Sequence, residues 1–269
     1  MSKPALETPN YGWFLKQVAA AKNRVLLLDY DGTLAPFHPD RNRARPYPRI
    51  PEFLQNIMRS CSTRLIIVSG RPVREVPTLL GLFPQPEIWG TYGIEKICAD
   101  GHYVEAHVSH RTLLTLAEAE ARLENEGLGD LIEVKLAAVA LHWRGLPASD
   151  ILTIRGKAYR ILEPLAVQPD FVLAEFDEGL EIRLATANKG NTLRGFLSEL
   201  DPEIPVAYVG DDATDEDAFR VLNGRGLTIL AGSKPRATAA LTWLKPPAEL
   251  LQFLMNWIHA CRDGGRSDR

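Results

Sequence analysis

The stretch Val25-Leu26-Leu27-Leu28-Asp29-Tyr30-Asp31-Gly32-Thr33-Leu34 decides the fold. Four consecutive apolar residues read as a strand buried on both faces, as in a parallel sheet covered by helices. Polar chemistry begins abruptly at Asp29, where such a strand would end. In open parallel sheets ligands sit outside the carboxyl ends of the strands, so this loop lies on the functional edge. Two residues apart on an extended backbone, Asp29 and Asp31 share a face, and Gly32 lets the chain turn away. Close carboxylates repel unless a cation or a shared proton relieves them, which makes the pair a candidate for divalent metal binding and acid–base work. An EF-hand calcium loop does not fit: it needs Gly sixth and Glu twelfth, and here Gly32 is fourth and Asp40 twelfth. A solvated acidic turn is the plain reading of the motif taken alone.

Working outward, the same grammar repeats. Leu65-Ile66-Ile67-Val68 is a second buried strand, closed by Ser69-Gly70-Arg71, and residues 52–60 place Phe53, Leu54, Ile57 and Met58 at helical spacing before it. Val206-Ala207-Tyr208-Val209 runs into Gly210-Asp211-Asp212-Ala213-Thr214-Asp215-Glu216-Asp217, and Leu227-Thr228-Ile229-Leu230 follows. Thr214 or Asp212 capping a helix that runs to Asn223 accounts for residues 215–217, since acids favour a helix N-terminus, but it does not account for Asp211 at the strand end. Two acidic strand-end loops in one sheet suit Mg²⁺, which takes few carboxylates and keeps several waters. Lys189-Gly190-Asn191 opens a further helix, where a cation and free backbone N–H groups can face an anion. Strands alternating with helices predict an α/β fold, a Rossmann-like parallel-sheet core.

The middle of the chain reads differently. Residues 113–126 form one amphipathic helix candidate with Gly127 as its C-cap, among half-exposed strand candidates at 131–135, 139–143, 171–176 and 180–183. Their partial alternation predicts an antiparallel sheet with one solvated face, hence a smaller α+β cap over 102–183 inserted into a discontinuous core of 1–101 and 184–269.

Composition limits the partners. The 269 residues carry 31 Lys+Arg against 34 Asp+Glu, a net charge of −3 that offers no surplus of cations for a broad nucleic-acid or anionic-membrane surface. With 45% hydrophobic residues the chain is an ordinary globular protein. Cys61, Cys98 and Cys261 are far apart and unpatterned, so they read as core fillers in a reducing compartment. Residues 1–11 show no apolar signal region, and the longest apolar run, 136–141, is too short to span a bilayer. The polar tail 262–269 is expected to fray. A cytoplasmic monomer acting on a small molecule is the expectation.

The order Asp-x-Asp-Gly-Thr, Ser-Gly-Arg, Lys-Gly, Gly-Asp-Asp resembles the haloacid dehalogenase-like phosphotransferase superfamily. That resemblance implies Asp29 as the nucleophile forming an aspartyl-phosphate and Asp31 as the acid and then base. It implies Ser69 and Lys189 holding phosphoryl oxygens, with Gly70 and Arg71 binding substrate beside them. It further implies Mg²⁺ held by Asp29, the Asp31 backbone carbonyl and Asp211, with Asp215 in support. Asp31 favours a phosphatase, because dehalogenase members lack this second acid.

A closer resemblance, over residues 22–259, is to the trehalose-6-phosphate phosphatase family. It rests on residues 28–36 and 210–219, on Glu133-x-Lys135 with Ala140-Leu141-His142-Trp143-Arg144, on Leu180-Glu181-Ile182-Arg183, and on the closing segment 231–258. It implies that Glu133, Lys135, Arg144 and Glu181 grip sugar hydroxyls. The plain alternative is a solvated strand pair and a surface ion pair. One departure is Gly90-Thr91-Tyr92-Gly93-Ile94-Glu95, where the family usually carries His at the position of Tyr92. The expected activity is Mg²⁺-dependent hydrolysis of trehalose 6-phosphate. Another compatible-solute phosphate, such as glucosylglycerol phosphate, or a non-catalytic sugar-phosphate-binding domain are the alternatives.

Overall fold

The computed structural model describes residues 10–38, 40–176 and 179–264. Helix α1 (Gly12–Ala20) leads into β1 (Arg24–Asp29), and α2 (Ile50–Ser60) into β2 (Thr63–Val68). The short α3 (Val76–Leu80) precedes β3 (Glu87–Gly90), β4 (Glu95–Ile97) and β5 (Tyr103–Glu105). Next come α4 (His110–Asn125), β6 (Ile132–Lys135), β7 (Ala138–His142), α5 (Ala148–Ala166), β8 (Phe171–Phe176) and β9 (Gly179–Leu184). The chain closes with α6 (Lys189–Glu199), β10 (Val206–Gly210), α7 (Asp215–Leu222), β11 (Leu227–Ala231), β12 (Thr242–Leu244) and α8 (Ala248–Gly264).

The large sheet is eight-stranded in the order β12-β11-β10-β1-β2-β3-β4-β5, parallel from β12 to β3, with β4 and β5 antiparallel at one edge. Strand period two explains why β1 is apolar throughout. Leu26 and Leu28 pack with Phe14, Leu54, Phe253 and Trp257 of α1, α2 and α8 on one face. Val25 and Leu27 pack with Leu193 and Phe219 of α6 and α7 on the other. Each such buried side chain contributes roughly 1.5–3 kcal/mol by leaving water. The α/β reading of the core is therefore what the structure contains, and Asp29, Val68 and Gly210 end neighbouring strands at one edge.

The second sheet is four-stranded and antiparallel, β6-β7-β9-β8. Its apolar face, Val139, Leu141, Leu180 and Ile182, packs on Leu116 and Leu123 of α4 and Leu162 of α5. Helix α4 starts earlier than its apolar spacing alone predicts, because the Ser109 hydroxyl accepts the Thr112 N–H at 3.1 Å. Gly127, with φ +77°, lets the chain leave the helix as expected. The apolar spacing predicts one long helix here, and the structure has two, α4 and α5. Gly156 and Pro164 lower the helix propensity of α5, but Ala158, Leu162 and Leu165 bury one face of it against the sheet, and packing overrides propensity. At the C-terminus, Arg262 and Asp263 of the expected frayed tail are helical, and residues 265–269 of it lie outside the described residues. Among the described residues no helix is long and apolar enough to cross a membrane.

Candidate active site

The functional edge of the large sheet faces the polar side of the small one across a cleft of about 340 Å³. Asp29, Asp31, Ser69, Gly70, Arg71 and Lys189 line its floor, and Glu133, Lys135, His142 and Arg144 line its roof.

The floor is a set of charges held by one another. Lys189, at the first turn of α6, donates to Asp29 Oδ1 at 2.6 Å and to Asp215 Oδ1 at 2.7 Å. Helix α6 begins there because the Asn188 side chain accepts the Asn191 N–H at 2.7 Å. All three charged groups are buried. Burial pushes the Asp29 carboxyl well above the usual carboxylate range, Lys189 pulls it back, and Asp215 and Asp212 push it further up. Burial likewise raises Asp211, with Asp29, Asp212 and Asp215 adding to the shift, and it lifts Asp215 to about 6. The Lys189 ammonium stays protonated: desolvation opposes its charge, but Asp215 and Asp29 outweigh it.

Oxygens of Asp29, Asp211 and Asp215 lie within 4.8 Å of one another. Buried acids that crowd one another with raised pKa values are short of positive charge, and hard oxygen donors suit a hard divalent cation, so the residues fit Mg²⁺. The set differs in one member from the expected one. Asp215 has both oxygens spent: Oδ1 takes Lys189 and the Tyr208 hydroxyl, and Oδ2 takes the backbone N–H groups of Asp211 and Asp212. It therefore shapes the loop that carries Asp211, a supporting part. The Asp31 carboxylate lies in a bidentate pair with Arg71, at 2.6 and 2.7 Å, which leaves its backbone carbonyl as the atom to consider for a metal. Gly32, φ +79°, is required: a Cβ there would sit 2.0 Å from Asp211 Oδ2. Of the two candidate caps, Thr214 stands at the N-cap of α7 with no side-chain cap bond, and Asp212, two residues earlier, accepts the N–H groups of Thr214 and Asp215.

Ser69 is buried at the end of β2 and its hydroxyl accepts the Arg71 N–H at 3.1 Å. Gly70 lies against the Tyr92 ring, where a Cβ would approach to 3.0 Å.

The roof is a product of strand register. Glu133 pairs with Ala140 and Ala140 with Glu181, while Lys135 pairs with Ala138 and Ala138 with Arg183. Two small residues on the central strand thus leave room for four charged side chains on the face opposite the apolar one. Lys135 donates to Glu181 at 2.7 Å and stands 3.7 Å from Glu133. Glu181 is 1% exposed and is not among the residues lining the cleft; it is the buried counter-charge of Lys135. Arg144 stands over the Phe37 ring at 4.6 Å. Burial works against the charge of Glu133, but Lys135, His142 and Arg41 hold its carboxyl below the usual range. Its Oε2 accepts from His142 at 2.8 Å and from Arg41, and its Oε1 is buried with no hydrogen-bond partner among the described residues.

Tyr92 joins the two halves. It is 6% exposed at φ 57°, a left-handed conformation costly for a large side chain, and Lys135 and Arg183 stand over its ring at 5.5 and 5.4 Å. Sequence reasoning had no signal for Arg41 and Glu75, which lie in the polar loop after β1 and before α3. Tyr208, an apparent core residue of β10, also escaped it, although its hydroxyl holds Asp215 at 2.6 Å.

A parallel-sheet core with this acidic edge and an inserted antiparallel sheet has the haloacid dehalogenase-like phosphatase fold. Residues 27–242 match the trehalose-phosphatase family, and the chain belongs to that family of phosphoric monoester hydrolases. It is 30% identical over 275 residues to the probable trehalose-phosphate phosphatase 3 of Oryza sativa subsp. japonica, covering 91% of this chain and 73% of that protein. It is 30% identical over 243 residues to the trehalose-phosphate phosphatase of Mycobacterium ulcerans, covering 85% of this chain and 60% of that longer protein. The C-terminal domain of C. albicans trehalose-6-phosphate phosphatase shares the fold, with a TM-score of 0.80 at 20% identity over 96% of this chain and 99% of that one.

Proposed function

We propose that the protein is an Mg²⁺-dependent phosphatase that hydrolyses trehalose 6-phosphate to trehalose and phosphate through an aspartyl-phosphate on Asp29. The small sheet with α4 and α5 acts as the substrate cap. It begins after β5 rather than at 102, because Tyr103–Glu105 pairs with β4 in the large sheet, and it ends with β9 at Leu184, the rest of the chain being the catalytic core. The observation that carries this is the pairing of two surfaces across one cleft: a charged floor able to hold a phosphoryl group, and a roof whose Glu133 keeps one buried oxygen unpartnered. A buried acceptor without a donor is costly, and a sugar hydroxyl supplies that donor.

In the reaction, an Asp29 oxygen attacks phosphorus and the sugar oxygen departs with a proton from Asp31. Asp31 then takes a proton from water, whose oxygen attacks the same phosphorus; phosphate leaves and the Asp29 carboxylate is restored. Lys189 works against the effect of burial on the Asp29 carboxyl and, with Ser69, faces the phosphoryl oxygens. For Asp31 to act, it must leave its fork on Arg71, and a phosphate dianion competes for that guanidinium. Mg²⁺, held by Asp29, Asp211 and the Asp31 carbonyl, would neutralise charge on the phosphoryl group. Lys135, Glu133 and Arg144 meet the sugar, and Glu181 keeps Lys135 charged and in place.

Tyr92, at the position where the family resemblance implies His, supports a second reading in which the sugar is that of another compatible-solute phosphate. Phosphate release over trehalose 6-phosphate, glucosylglycerol phosphate and glucose 6-phosphate, with Mg²⁺ and with chelator, tests both. Preference for trehalose 6-phosphate that vanishes with chelator and in Asp29→Asn is the expected result. Preference for glucosylglycerol phosphate replaces the substrate, and a wild type inert on every ester overturns the enzyme reading.

A further inference from the structure

Arg41 sits in the helical turn Arg41–Arg43, which the Asp40 side chain starts by accepting the Asn42 N–H at 3.0 Å. Its guanidinium forks in two directions. One nitrogen, Nη2, donates to Glu75 Oε2 at 2.6 Å, next to α3 of the large domain. The other, Nη1, pairs with Glu133 Oε2 on β6 of the small sheet. Glu75 Oε2 also faces Arg71 at 3.5 Å, and Arg71 grips Asp31. An unbroken row of alternating charge, Glu133–Arg41–Glu75–Arg71–Asp31, therefore crosses the cleft from roof to floor.

An exposed ion pair of this kind is worth little by itself. Three observations set this one apart. Arg41 is only 26% exposed and lines the cleft. Its partner Glu133 is nine-tenths buried and lines the cleft, and Arg41 and His142 together occupy one oxygen and leave the other buried without a partner among the described residues. Two donors converging on Oε2 fix the carboxylate's rotation, so Oε1 is presented in one direction. Arg41 and Arg71 also share one oxygen of Glu75, and the short contact belongs to Arg41, which leaves Arg71 to Asp31.

We propose that Arg41 is a positioning residue for sugar recognition: a core-borne cation, anchored by Glu75, that reaches across the cleft and orients the cap carboxylate Glu133. The inference rests on the phosphatase reading above. The planar fork of the guanidinium presents separate nitrogens to the two carboxylates in a fixed geometry, which the single nitrogen of a lysine does not reproduce across this span.

The test is steady-state kinetics of wild type, Arg41→Ala, Arg41→Lys, Glu75→Gln, Glu133→Gln and the Arg41→Ala/Glu133→Gln pair, on the preferred sugar phosphate and on p-nitrophenyl phosphate. The second ester carries no sugar and reports the floor without Glu133. Arg41→Ala raises KM for the sugar phosphate roughly 10–100-fold, the range of one lost charged hydrogen bond. Its KM for p-nitrophenyl phosphate moves by less than about 3-fold, within the range of a surface ion pair. Arg41→Lys recovers part of the loss, Glu75→Gln reproduces it in milder form, and the double variant is no worse than Glu133→Gln. Equal losses on both esters, or losses that multiply in the double variant, overturn the proposal. If the wild type prefers another sugar phosphate, the substrate reading falls and the same comparison on that ester still decides the role of Arg41.

Discussion

The floor and the roof of the cleft solve the same problem, keeping charge in a buried place, in opposite ways. On the floor, Lys189, Asp29 and Asp215 satisfy one another within loops that follow buried strands, and Asp215 has no valence left over. On the roof, charged side chains stand on alternate residues of strands, spaced by Ala138 and Ala140, and Glu133 keeps an oxygen in reserve. A saturated network is rigid and suits chemistry that repeats on one phosphoryl group; an unsaturated one suits a ligand that must supply the missing donors. The two surfaces therefore predict separable failures.

The largest expected effect comes from breaking the floor without touching a charge. Gly32→Ala places a Cβ on Asp211 and strains a left-handed position, so turnover of trehalose 6-phosphate and of p-nitrophenyl phosphate both fall, on the order of 10²-fold or more for a displaced catalytic group. Loss on the sugar phosphate alone would contradict the assignment of Asp211 to the floor. Next is the roof. Lys135→Met raises KM for the sugar phosphate roughly 10–100-fold and leaves buried Glu181 with only the longer, 3.7 Å contact to Arg183, which costs about 1–3 kcal/mol in a denaturant titration. Adding Glu181→Gln restores most of the stability and none of the KM, a result that separates the counter-charge from the contact.

Smaller effects sharpen the seam between the surfaces. Tyr92→Ala removes the ring under Lys135 and Arg183, each contact worth about 0.5–2 kcal/mol, and weakens sugar binding several-fold, whereas Tyr92→Phe keeps the ring and changes little. The smallest is a slope. Glu133 titrates below its ordinary value in the folded protein, so its contribution to stability is present above the ordinary carboxylate pKa and is lost as pH falls through the folded one. Thermal melts of the wild type should thus lose stability on acidification below about pH 4.5 more steeply than those of Glu133→Gln. Equal slopes would mean that Glu133 is not held ionised by Lys135, His142 and Arg41.

The same contrast governs what could be read from the sequence. Asp29, Ser69 and Asp211 each follow a run of apolar residues, so local pattern alone put them at strand ends, and the pairing of β1 with both β2 and β10 brings those ends together. Lys189 was legible as the start of a helix, though not its bridge between Asp29 and Asp215. The roof was legible only through resemblance, because the alignment of Glu133 with Glu181 passes through Ala140 and depends on a register that no local signal sets. That register also explains why Glu181, expected at the sugar, lies buried beside Lys135. Helix α5 was obscured by Pro164, and Arg41 by a loop whose charges look solvated until the fold places Glu133 opposite.

The central claim is that the phosphoryl group passes onto Asp29 while the roof holds the sugar. Acid quench of a single turnover with trehalose 6-phosphate radiolabelled in its phosphate tests it most directly. Label bound covalently to the peptide containing Asp29, at a level that rises and decays as free phosphate appears and is absent in Asp29→Asn, is the predicted result. Phosphate release at the wild-type rate with no labelled protein at any time, or with undiminished release by Asp29→Asn, would contradict it.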